Sequence, residues 1–197
     1  GSELSCDERY REHLVENVLE PLNNRKEVRQ RLASCRVYVG TVASLSSKTE
    51  LFKLKRFDVA IVDEATQILE PQLLWILTAK SSDGQNSVGK FVLIGDHKQL
   101  PAVVLQSQEE SEVYDEGLRN IGLLNLKDSL FERLYRFHLA EDDSPALDML
   151  CRQGRMHPGV ASFPNQVFYG GKLKPMGLSH QLEEISSPVL FIPSRRD

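Results

Sequence analysis

Two short polar runs hold the side chains of this sequence that are best suited to do chemistry. Asp63 and Glu64 directly follow the apolar run 59–62, and residues 95–101 follow the apolar run 91–94. Adjacent carboxylates suit hydrolysis of a nucleoside triphosphate, because one can hold Mg²⁺ through its water and the next can orient or deprotonate the attacking water. A surface pair of acids at a strand end is an equal alternative for these two residues taken alone.

The two apolar runs predict neighbouring strands of a parallel sheet. Neither run alternates with polar residues, so we expect both faces of this sheet to be covered. Pro71 stands at the first turn of a helix with the apolar run 73–77. Strand, helix and strand form a βαβ unit, and ligands of such sheets bind beyond the carboxyl ends of the strands.

Apolar periodicity and capping residues predict the other elements. They are a helix over 7–22 ending near Pro21, a short helix around Val28 and Leu32, a strand at 37–39, a helix opened by a capping box of Ser129 and Glu132 that buries Leu130, Phe131 and Leu134, a strand over 147–151 leading into 152–156, a short helical region around Pro158 and Pro164, and a strand at 189–192.

Composition narrows the class of protein. The chain has 197 residues, 41% hydrophobic and 26% charged, which is ordinary for a globular domain. No apolar run approaches the roughly 20 residues of a membrane span, so we expect a soluble, cytoplasmic protein without a membrane partner. The spacing of Cys6, Cys35 and Cys151 suggests neither a disulfide framework nor a zinc site, and His97 and His157 suggest no metal site.

Charge is unevenly distributed. The net charge is −4, residues 106–148 carry 4 basic and 11 acidic side chains, and residues 149–197 carry 6 and 3. We interpret the acidic run 109–116 as a solvated loop. No basic stripe stands out along the chain, so charge alone argues against a nucleic-acid partner.

Five motifs in sequence order resemble those of superfamily 1 helicases, in the 5′-to-3′ branch that includes the nonsense-mediated-decay helicase and senataxin. Residues 40–45, 63–67 and 95–101 are similar to motifs Ic, II and III of that family; 129–134 resemble its SLFERL helix; and 153–158, followed by Phe163, Asn165, Phe168, Tyr169 and Gly171, resemble motif IV. Agreement of five signatures in order excludes coincidence as a serious competitor.

The resemblance implies an α/β fold, a RecA-like P-loop NTPase parallel sheet. Residues 3–155 would form a partial first RecA-like domain, and residues 156–197 the beginning of a second RecA-like lobe. The family's phosphate loop is absent, since residues 84–90 match its first seven positions but Phe91 replaces the Ser or Thr that binds Mg²⁺. That run also precedes a strand rather than opening a helix, and we interpret it as a mobile polar loop. The sheet is therefore expected to be incomplete, lacking its first strand, and the chain to be a piece of a larger motor.

The same resemblance implies roles for individual residues. Asp63 would sit in the Mg²⁺ shell and Glu64 would be the catalytic base, while Arg155 would act as an arginine finger. Nucleotide binding would involve Gln67, Gln99, Gln153 and Asp96, the first two sensing the γ-phosphate, and single-stranded nucleic acid would contact Thr41, Ser44 and Pro101. For Thr41 and Ser44 an ordinary capping role is equally open. Gly154 departs from the family, because many relatives have there a Tyr that stacks on adenine.

We therefore expect a fragment of an ATP-dependent DNA or RNA helicase whose parent uses ATP and Mg²⁺. The fragment alone should be inactive and carry neither. The alternative is a non-motor interaction module derived from a helicase lobe; a P-loop ATPase without nucleic-acid work is disfavoured by motifs III and IV. Because the missing strand would leave backbone donors without partners, self-association of the fragment is plausible.

Overall fold

The computed structural model describes residues 7–140, 144–182 and 189, which fall into two compact units, Gly1–Phe137 and His138–Asp197. The helices of the first unit are α1 (Val15–Leu19), α2 (Arg25–Ser34), α3 (Val42–Ser46), α4 (Glu50–Leu54), α5 (Glu70–Leu77), α6 (Glu116–Asn120) and α7 (Leu130–Leu139), the last ending just past the boundary. Its strands are β1 (Phe57–Val62) and β2 (Val88–Leu93), and short 3-10 helices cover Glu8–His13, Ala65–Gln67 and Glu109–Ser111.

The second unit is built on a short parallel strand pair. Its described elements are β3 (Arg152–Gln153), α8 (Pro158–Tyr169), β4 (Lys174–Pro175) and α9 (Ser179–Leu182). The boundary between the compact units reflects how densely each part of the chain packs against itself. The boundary expected at residue 155 concerns the match to two RecA-like domains, and it stays a prediction.

The βαβ unit predicted from the two apolar runs is confirmed. Strands β1 and β2 pair in parallel, with Val59 opposite Lys90 and Ile61 opposite Val92, and α5 lies between them in the chain. Because the strands are parallel, their carboxyl ends meet at one edge of the sheet. Residues that follow both strands therefore leave the sheet at that same edge.

The expectation that both faces of this sheet are covered is wrong for the described part of the chain. Val59, Ile61 and Val92 share one face by register, and they are 46%, 68% and 40% exposed. The opposite face is half-buried at Ala60 and Phe91. An apolar run reveals that a strand belongs in a core, but not whether the covering elements are present.

An aromatic cluster anchors the amino ends of the strands. Phe52 packs edge-on against Trp75 at 5.3 Å between ring centroids, and Phe57 contacts Phe52 at 5.5 Å and Tyr38 at 5.2 Å. The buried hydroxyl of Ser87 donates a 2.7 Å hydrogen bond to the carbonyl oxygen of Phe52. This cluster and the fully buried Leu73 join α4 and α5 to the sheet.

Two elements of the amino-terminal region differ from prediction. The helix expected over 7–22 is a 3-10 helix and the short α1, because Leu14 is extended (ψ 140°) and interrupts the helix between them. No strand forms at 37–39, where Val37 and Val39 are 76% and 91% exposed. A β-prone run becomes a strand only beside a partner, and the described residues supply none here.

Other predicted elements are confirmed. The helix around Val28 and Leu32 is α2, and the helical region at Pro158 is α8. Ser129 and Glu132 form the expected reciprocal capping box, each backbone N–H donating to the other's side chain at 3.2 Å. That box opens α7, which buries Leu130, whereas the predicted Phe131 and Leu134 are only half-buried.

The predicted carboxyl-terminal strands are not observed in the described residues. The strand expected over 147–151 is wrong, since that segment is irregular and the short β3 begins only after it, at Arg152. The strand expected at 189–192 lies outside the described residues except for Val189. In the part of the chain that the structure describes, no helix combines the length and apolar character that crossing a membrane requires.

Candidate functional site

Backbone hydrogen bonds join the loops that follow β1 and β2. The Ile94 N–H donates to the Val62 carbonyl at 2.8 Å, and the Ala65 N–H donates to the Ile94 carbonyl at 2.8 Å. Asp63 and Glu64 thus leave the sheet beside the start of the loop that carries Asp96. The structure brings together the two polar runs that the sequence separates by some thirty residues.

Glu64 has the only positive φ among the described non-glycine residues, with φ 52° and ψ 39°. The left-handed conformation costs a non-glycine residue about 1–2 kcal/mol, so the surrounding contacts must hold it. The Asp63 carboxylate does so by accepting the Glu64 N–H at 3.0 Å. This turn leaves the carboxylates of both residues exposed to solvent.

Gln67 lies one turn beyond Glu64. Its side-chain amide donates a long, 3.4 Å hydrogen bond to Glu64 Oε2, and its backbone N–H donates to the Glu64 carbonyl at 2.9 Å. Both side chains are exposed. A carboxylate and an amide therefore stand side by side at the sheet edge, free to exchange their weak mutual bond for a ligand.

Close packing beneath the site requires a glycine at position 95. Ala65 and Thr66 are buried, and a Cβ added to Gly95 would stand 3.0 Å from Thr66 Cγ2 and 3.1 Å from the Thr66 backbone nitrogen. The second contact is with backbone, which cannot simply rotate away. Gly95 thus permits the close approach of the two loops.

The loop after β2 is organised by Asp96. Its Oδ1 accepts the Lys98 N–H at 3.0 Å, and its Oδ2 accepts the Gln99 side-chain amide at 2.8 Å. Gln99 is exposed. Asp96 therefore positions the Gln99 amide, and both predicted nucleotide-binding residues of this loop belong to one hydrogen-bonded turn.

His97 connects this loop to α7. Its ring lies over that of Tyr135 at 4.1 Å between centroids and 34° between planes. Partial burial lowers the pKa of His97, and the Lys98 charge lowers it further, whereas Asp96 and Glu132 act in the opposite direction. The histidine is therefore favoured in its neutral form. The stacking of His97 on Tyr135 could not be predicted from the sequence.

Helix α7 is in turn fixed to α5 by an ion pair. The Arg133 guanidinium makes two hydrogen bonds to the Glu70 carboxylate, one from Nε at 2.8 Å and the other from Nη2, and these side chains are only 15% and 12% exposed. Arg133 Nη1 also donates to the Ile121 carbonyl at 3.0 Å. Residues 129–134, the SLFERL segment, thus help to hold α5 and α7 together.

The residues predicted to contact nucleic acid lie at two places. Thr41 caps α3, since its Oγ1 accepts the Ser44 N–H at 3.1 Å, so the capping alternative holds for this pair. Pro101 lies in an exposed stretch of chain after Gln99, next to Leu100, which is 83% exposed. A contact of any of them with nucleic acid stays a prediction.

Gln153 and Arg155 lie in the second unit. Gln153 Oε1 accepts the backbone N–H groups of Arg155 at 3.1 Å and Met156 at 2.8 Å, and its amide donates to the Met156 carbonyl at 2.8 Å. The Gln153 side chain is therefore occupied in holding the turn. The Arg155 side chain is exposed at the tip of that turn.

Gln181 is a buried clamp on the same turn that sequence reasoning missed. Its amide donates to the carbonyl groups of Gln153 at 3.0 Å and Met156 at 2.9 Å, and its Oε1 accepts from the Gly177 N–H at 3.1 Å. Gly154 is packed as well, because an added Cβ would meet Met176 Sδ at 3.0 Å. A lone Gln near a chain terminus carries no pattern that could have indicated this role.

Residues 84–90 do not have the geometry of a phosphate loop. Residues 85–87 join a turn at 81–84 to β2, which already includes Val88, Gly89 and Lys90. A phosphate loop follows a strand and opens a helix, which presents N–H groups to the ligand. The interpretation of this run as something other than a phosphate loop is supported by its conformation, although its last residues are strand rather than loop.

The carboxylates at the sheet edge fit magnesium bound together with a nucleotide. Among the described residues no group of three or more His, Cys, Asp or Glu side chains could hold a metal ion by itself. Mg²⁺ typically keeps several waters and takes one or two protein carboxylates plus phosphate oxygens. The exposed Asp63 suits that requirement without further protein ligands.

Comparison with known families gives two matches along the chain. Residues 5–107 match a family model described as an AAA domain, and residues 126–191 match a second model with the same description. The first match covers just over half of the chain and includes both loops of the candidate site.

Named relatives include helicases. The chain is 34% identical over 158 residues to an uncharacterized ATP-dependent helicase of Methanocaldococcus jannaschii, covering 78% of this chain and 19% of that protein. It is 31% identical over 147 residues to the DNA replication ATP-dependent helicase/nuclease of Bos taurus (75% and 11%), and 36% identical over 138 residues to a 3′-5′ exoribonuclease of Mus musculus (70% and 4%). These matches confirm the resemblance to helicases, and the chain spans a fifth or less of each relative's length.

Proposed function

The chain belongs to the AAA domain family, and from the helicases among its relatives and the five motifs of its sequence we propose that it is part of an ATP-dependent helicase of superfamily 1, in the 5′-to-3′ branch of the nonsense-mediated-decay helicase and senataxin. The mixed helix and strand architecture with parallel strand pairs fits a P-loop NTPase-like α/β fold. Residues 3–155 would belong to the first RecA-like domain and residues 156–197 to the second.

One observation carries the proposal. Asp63 and Glu64 follow β1 and Asp96 and Gln99 follow β2, and the bond from the Ala65 N–H to the Ile94 carbonyl holds the two loops together at the edge where parallel sheets bind ligands. A chance pair of surface acids would need neither this juxtaposition nor the strained backbone of Glu64.

Each residue of the edge has a chemical task in ATP hydrolysis. ATP with Mg²⁺ would supply the phosphoanhydride bond and the electrophilic phosphorus. Asp63 would hold the metal's water shell, and Glu64 would accept the proton of the attacking water. The amides of Gln67 and Gln99 can donate to phosphate oxygens, and their bonds to Glu64 and Asp96 keep them at the edge until then.

Arg155 would stabilise charge that develops on the transferred phosphoryl group. Its exposed guanidinium is presented by a turn that Gln153 and Gln181 hold rigidly. A planar fork of donors suits phosphate oxygens better than an ammonium does. In this proposal Gln153 acts through the turn, and any contact of its own with nucleotide would require breaking its backbone bonds.

The proposed partner of the parent is single-stranded nucleic acid. The relatives include both a DNA replication helicase/nuclease and an exoribonuclease, so DNA and RNA are both candidate tracks. Thr41, Ser44 and Pro101 remain the proposed contacts with it.

An ATPase assay on the 197-residue chain and on its intact parent tests the proposal. We expect no measurable turnover by the chain alone, with or without single-stranded DNA or RNA, because its sequence holds no phosphate loop to present the γ-phosphate to Glu64. The parent should hydrolyse ATP and respond to nucleic acid. Turnover by the chain above that of its Glu64→Gln variant, or a parent that neither binds nor hydrolyses ATP, would overturn it.

The open face of the sheet favours a second property, which is association of isolated chains. Val59, Ile61, Val92 and Ile94 are all at least 40% exposed on β1, β2 and the residue that follows β2. Exposed apolar patches of this kind mark interaction surfaces, which is also what the alternative of a non-motor interaction module requires. Light scattering across a concentration series should show dimers or larger species, and a monomer at every concentration would exclude this surface as a self-association site.

A further inference from the structure

Four basic side chains gather at the amino ends of β1 and β2, the end of the sheet opposite to the acids. Two adjacent open clefts share Arg56, Phe57 and Asp58; Lys90 lines one of them, and Arg36 and Lys55 line the other. We call Arg36, Lys55, Arg56 and Lys90 the basic cleft. Nothing in the function proposed above uses it.

The charge of the basic cleft is only partly balanced within the described chain: hydrogen bonds from Ser81 and Gln85 lower the pKa of Asp83, and the charge of Arg56 lowers it further. None of its four cations forms an ion pair with a described residue, and Asp58 is the one acid that lines the two clefts. The local excess is therefore positive in a chain whose net charge is −4. Like charges that outnumber their counterions repel one another, and a bound anion relieves that repulsion.

Two of the cations are held in place by neutral groups. Lys55 Nζ donates to the Cys35 carbonyl at 2.6 Å and lies 5.5 Å from the centre of the Phe57 ring. Arg56 Nη1 donates to Gln85 Oε1 at 2.6 Å. These contacts orient the side chains while leaving their charge and other donors available, so part of the entropy of binding an anion is already lost in the folded chain.

The arrangement fits a row of phosphates better than a single one. Lys90 lines only one cleft and Arg36 only the other, and Arg56 is shared. The charges are spread over two adjoining clefts instead of converging on one point. Arginine, which supplies two of the four, is the residue best matched to phosphate oxygens.

We propose that the basic cleft binds successive phosphates of a single-stranded nucleic acid. Binding of this type is electrostatic and insensitive to base sequence, because the cleft contacts the backbone. It would give the parent a contact with its track in addition to those proposed for Thr41, Ser44 and Pro101. The inference does not depend on ATP hydrolysis, and its test is independent of that activity.

Fluorescence anisotropy with a labelled 20-nucleotide oligothymidylate and the 197-residue chain tests the proposal. The double variant Arg36→Gln/Lys90→Gln should weaken binding about tenfold at low salt. It should also flatten the slope of log K against log salt by about 1.4, since each phosphate contact on a single strand contributes about 0.7. Both residues are exposed, so their replacement is expected to leave the fold intact.

The matched control is Lys26→Gln/Arg29→Gln, which removes the same charge from exposed positions of α2. Equal weakening by the cleft and control variants, or no binding by the unaltered chain, overturns the proposal. Stronger weakening by Thr41→Ala/Ser44→Ala would assign the binding to the start of α3 instead and overturn the proposal. Inorganic phosphate or polyglutamate competing as well as unlabelled oligonucleotide, at equal charge, would assign the cleft to a small anion or an acidic protein instead.

Discussion

The loop after β1 and the turn after β3 both carry residues expected at a nucleotide, yet they are built in opposite ways. At residues 63–67 the backbone of Glu64 is strained, the side chains of Asp63, Glu64 and Gln67 are exposed, and the Gln67–Glu64 hydrogen bond is long. At residues 153–156 the backbone is unstrained and the Gln153 side chain is fully engaged with it. Residues that match a motif are thus of two kinds. Some expose a functional group to solvent, and others hold the backbone that carries such a group.

The contrast teaches where each region can tolerate change. Strain at Glu64 is maintained only because the surrounding contacts over-determine the turn, and such strain is expected where function requires it. The 153–156 turn instead depends on buried amide bonds from Gln153 and Gln181. Substitutions in the first region should mainly change activity, and those in the second should mainly change stability, with Arg155 as the exception.

The largest expected effect is that of Arg155→Ala in the intact parent. Loss of a guanidinium that stabilises the transition state should lower kcat by about 10³-fold, and Arg155→Lys should recover little of it. The melting temperature of the 197-residue chain should hardly move, because the side chain is exposed. If Arg155→Ala instead unfolds the protein while the folded fraction remains fully active, Arg155 has a structural role and not a catalytic one.

Arg133→Ala tests the scaffold beneath the first region. It leaves the Glu70 carboxylate, 12% exposed, without its partner, and breaking a largely buried pair should cost about 3 kcal/mol of unfolding free energy. Arg9→Ala is the matched control, since its pair with Asp7 is 76% and 48% exposed and such surface pairs contribute little to stability. Equal losses in urea denaturation would contradict a supporting role for the Arg133 pair.

Gln181→Ala should destabilise the second region by about 2 kcal/mol. Gln181 is 3% exposed, and its removal leaves carbonyl and N–H groups of the clamp without partners. Hydrogen exchange should speed up at the Gly177 amide, whereas the exposed Gln166→Ala should leave it unchanged. Unaltered protection in Gln181→Ala would show that the turn does not need its clamp.

Glu64→Gly should stabilise the chain by about 1 kcal/mol, the smallest effect in this series. Glycine adopts positive φ without the steric cost that a Cβ imposes. Glu64→Ala removes the same carboxylate and the same bond to Gln67 but keeps the strain, so it should bring no gain. Identical thermal unfolding of the Gly and Ala variants would mean that the backbone of residue 64 is not strained.

Local features of this fold could be predicted from the sequence, whereas features that depend on distant neighbours could not. The apolar runs at 59–62 and 91–94 gave the parallel pair, and Ser129 with Glu132 gave the start of α7, because a run or a cap is encoded within a few residues. The run at 37–39 failed as a strand for want of a partner.

The residues proposed for the candidate site could be named from the sequence, but the geometry around them could not. Asp63, Glu64 and Asp96 were indicated by their position after apolar runs, but neither the positive φ of Glu64 nor the occupied amide of Gln153 has a sequence signature. Arg133 and Glu70 lie 63 positions apart, and the basic cleft draws on residues 36, 55, 56 and 90. Counting charged residues along the sequence therefore did not reveal the basic cleft, because its residues come together only in the folded chain.

The central claim is that the exposed carboxylate of Glu64 is the base that activates water. Its most direct test is steady-state ATP turnover of the intact parent carrying Glu64→Gln, with Glu20→Gln as a control at an exposed helix end. The amide keeps the size of the side chain but cannot accept the proton, so turnover should fall at least ~10²-fold while ATP binding persists. Unchanged turnover in Glu64→Gln would contradict the claim.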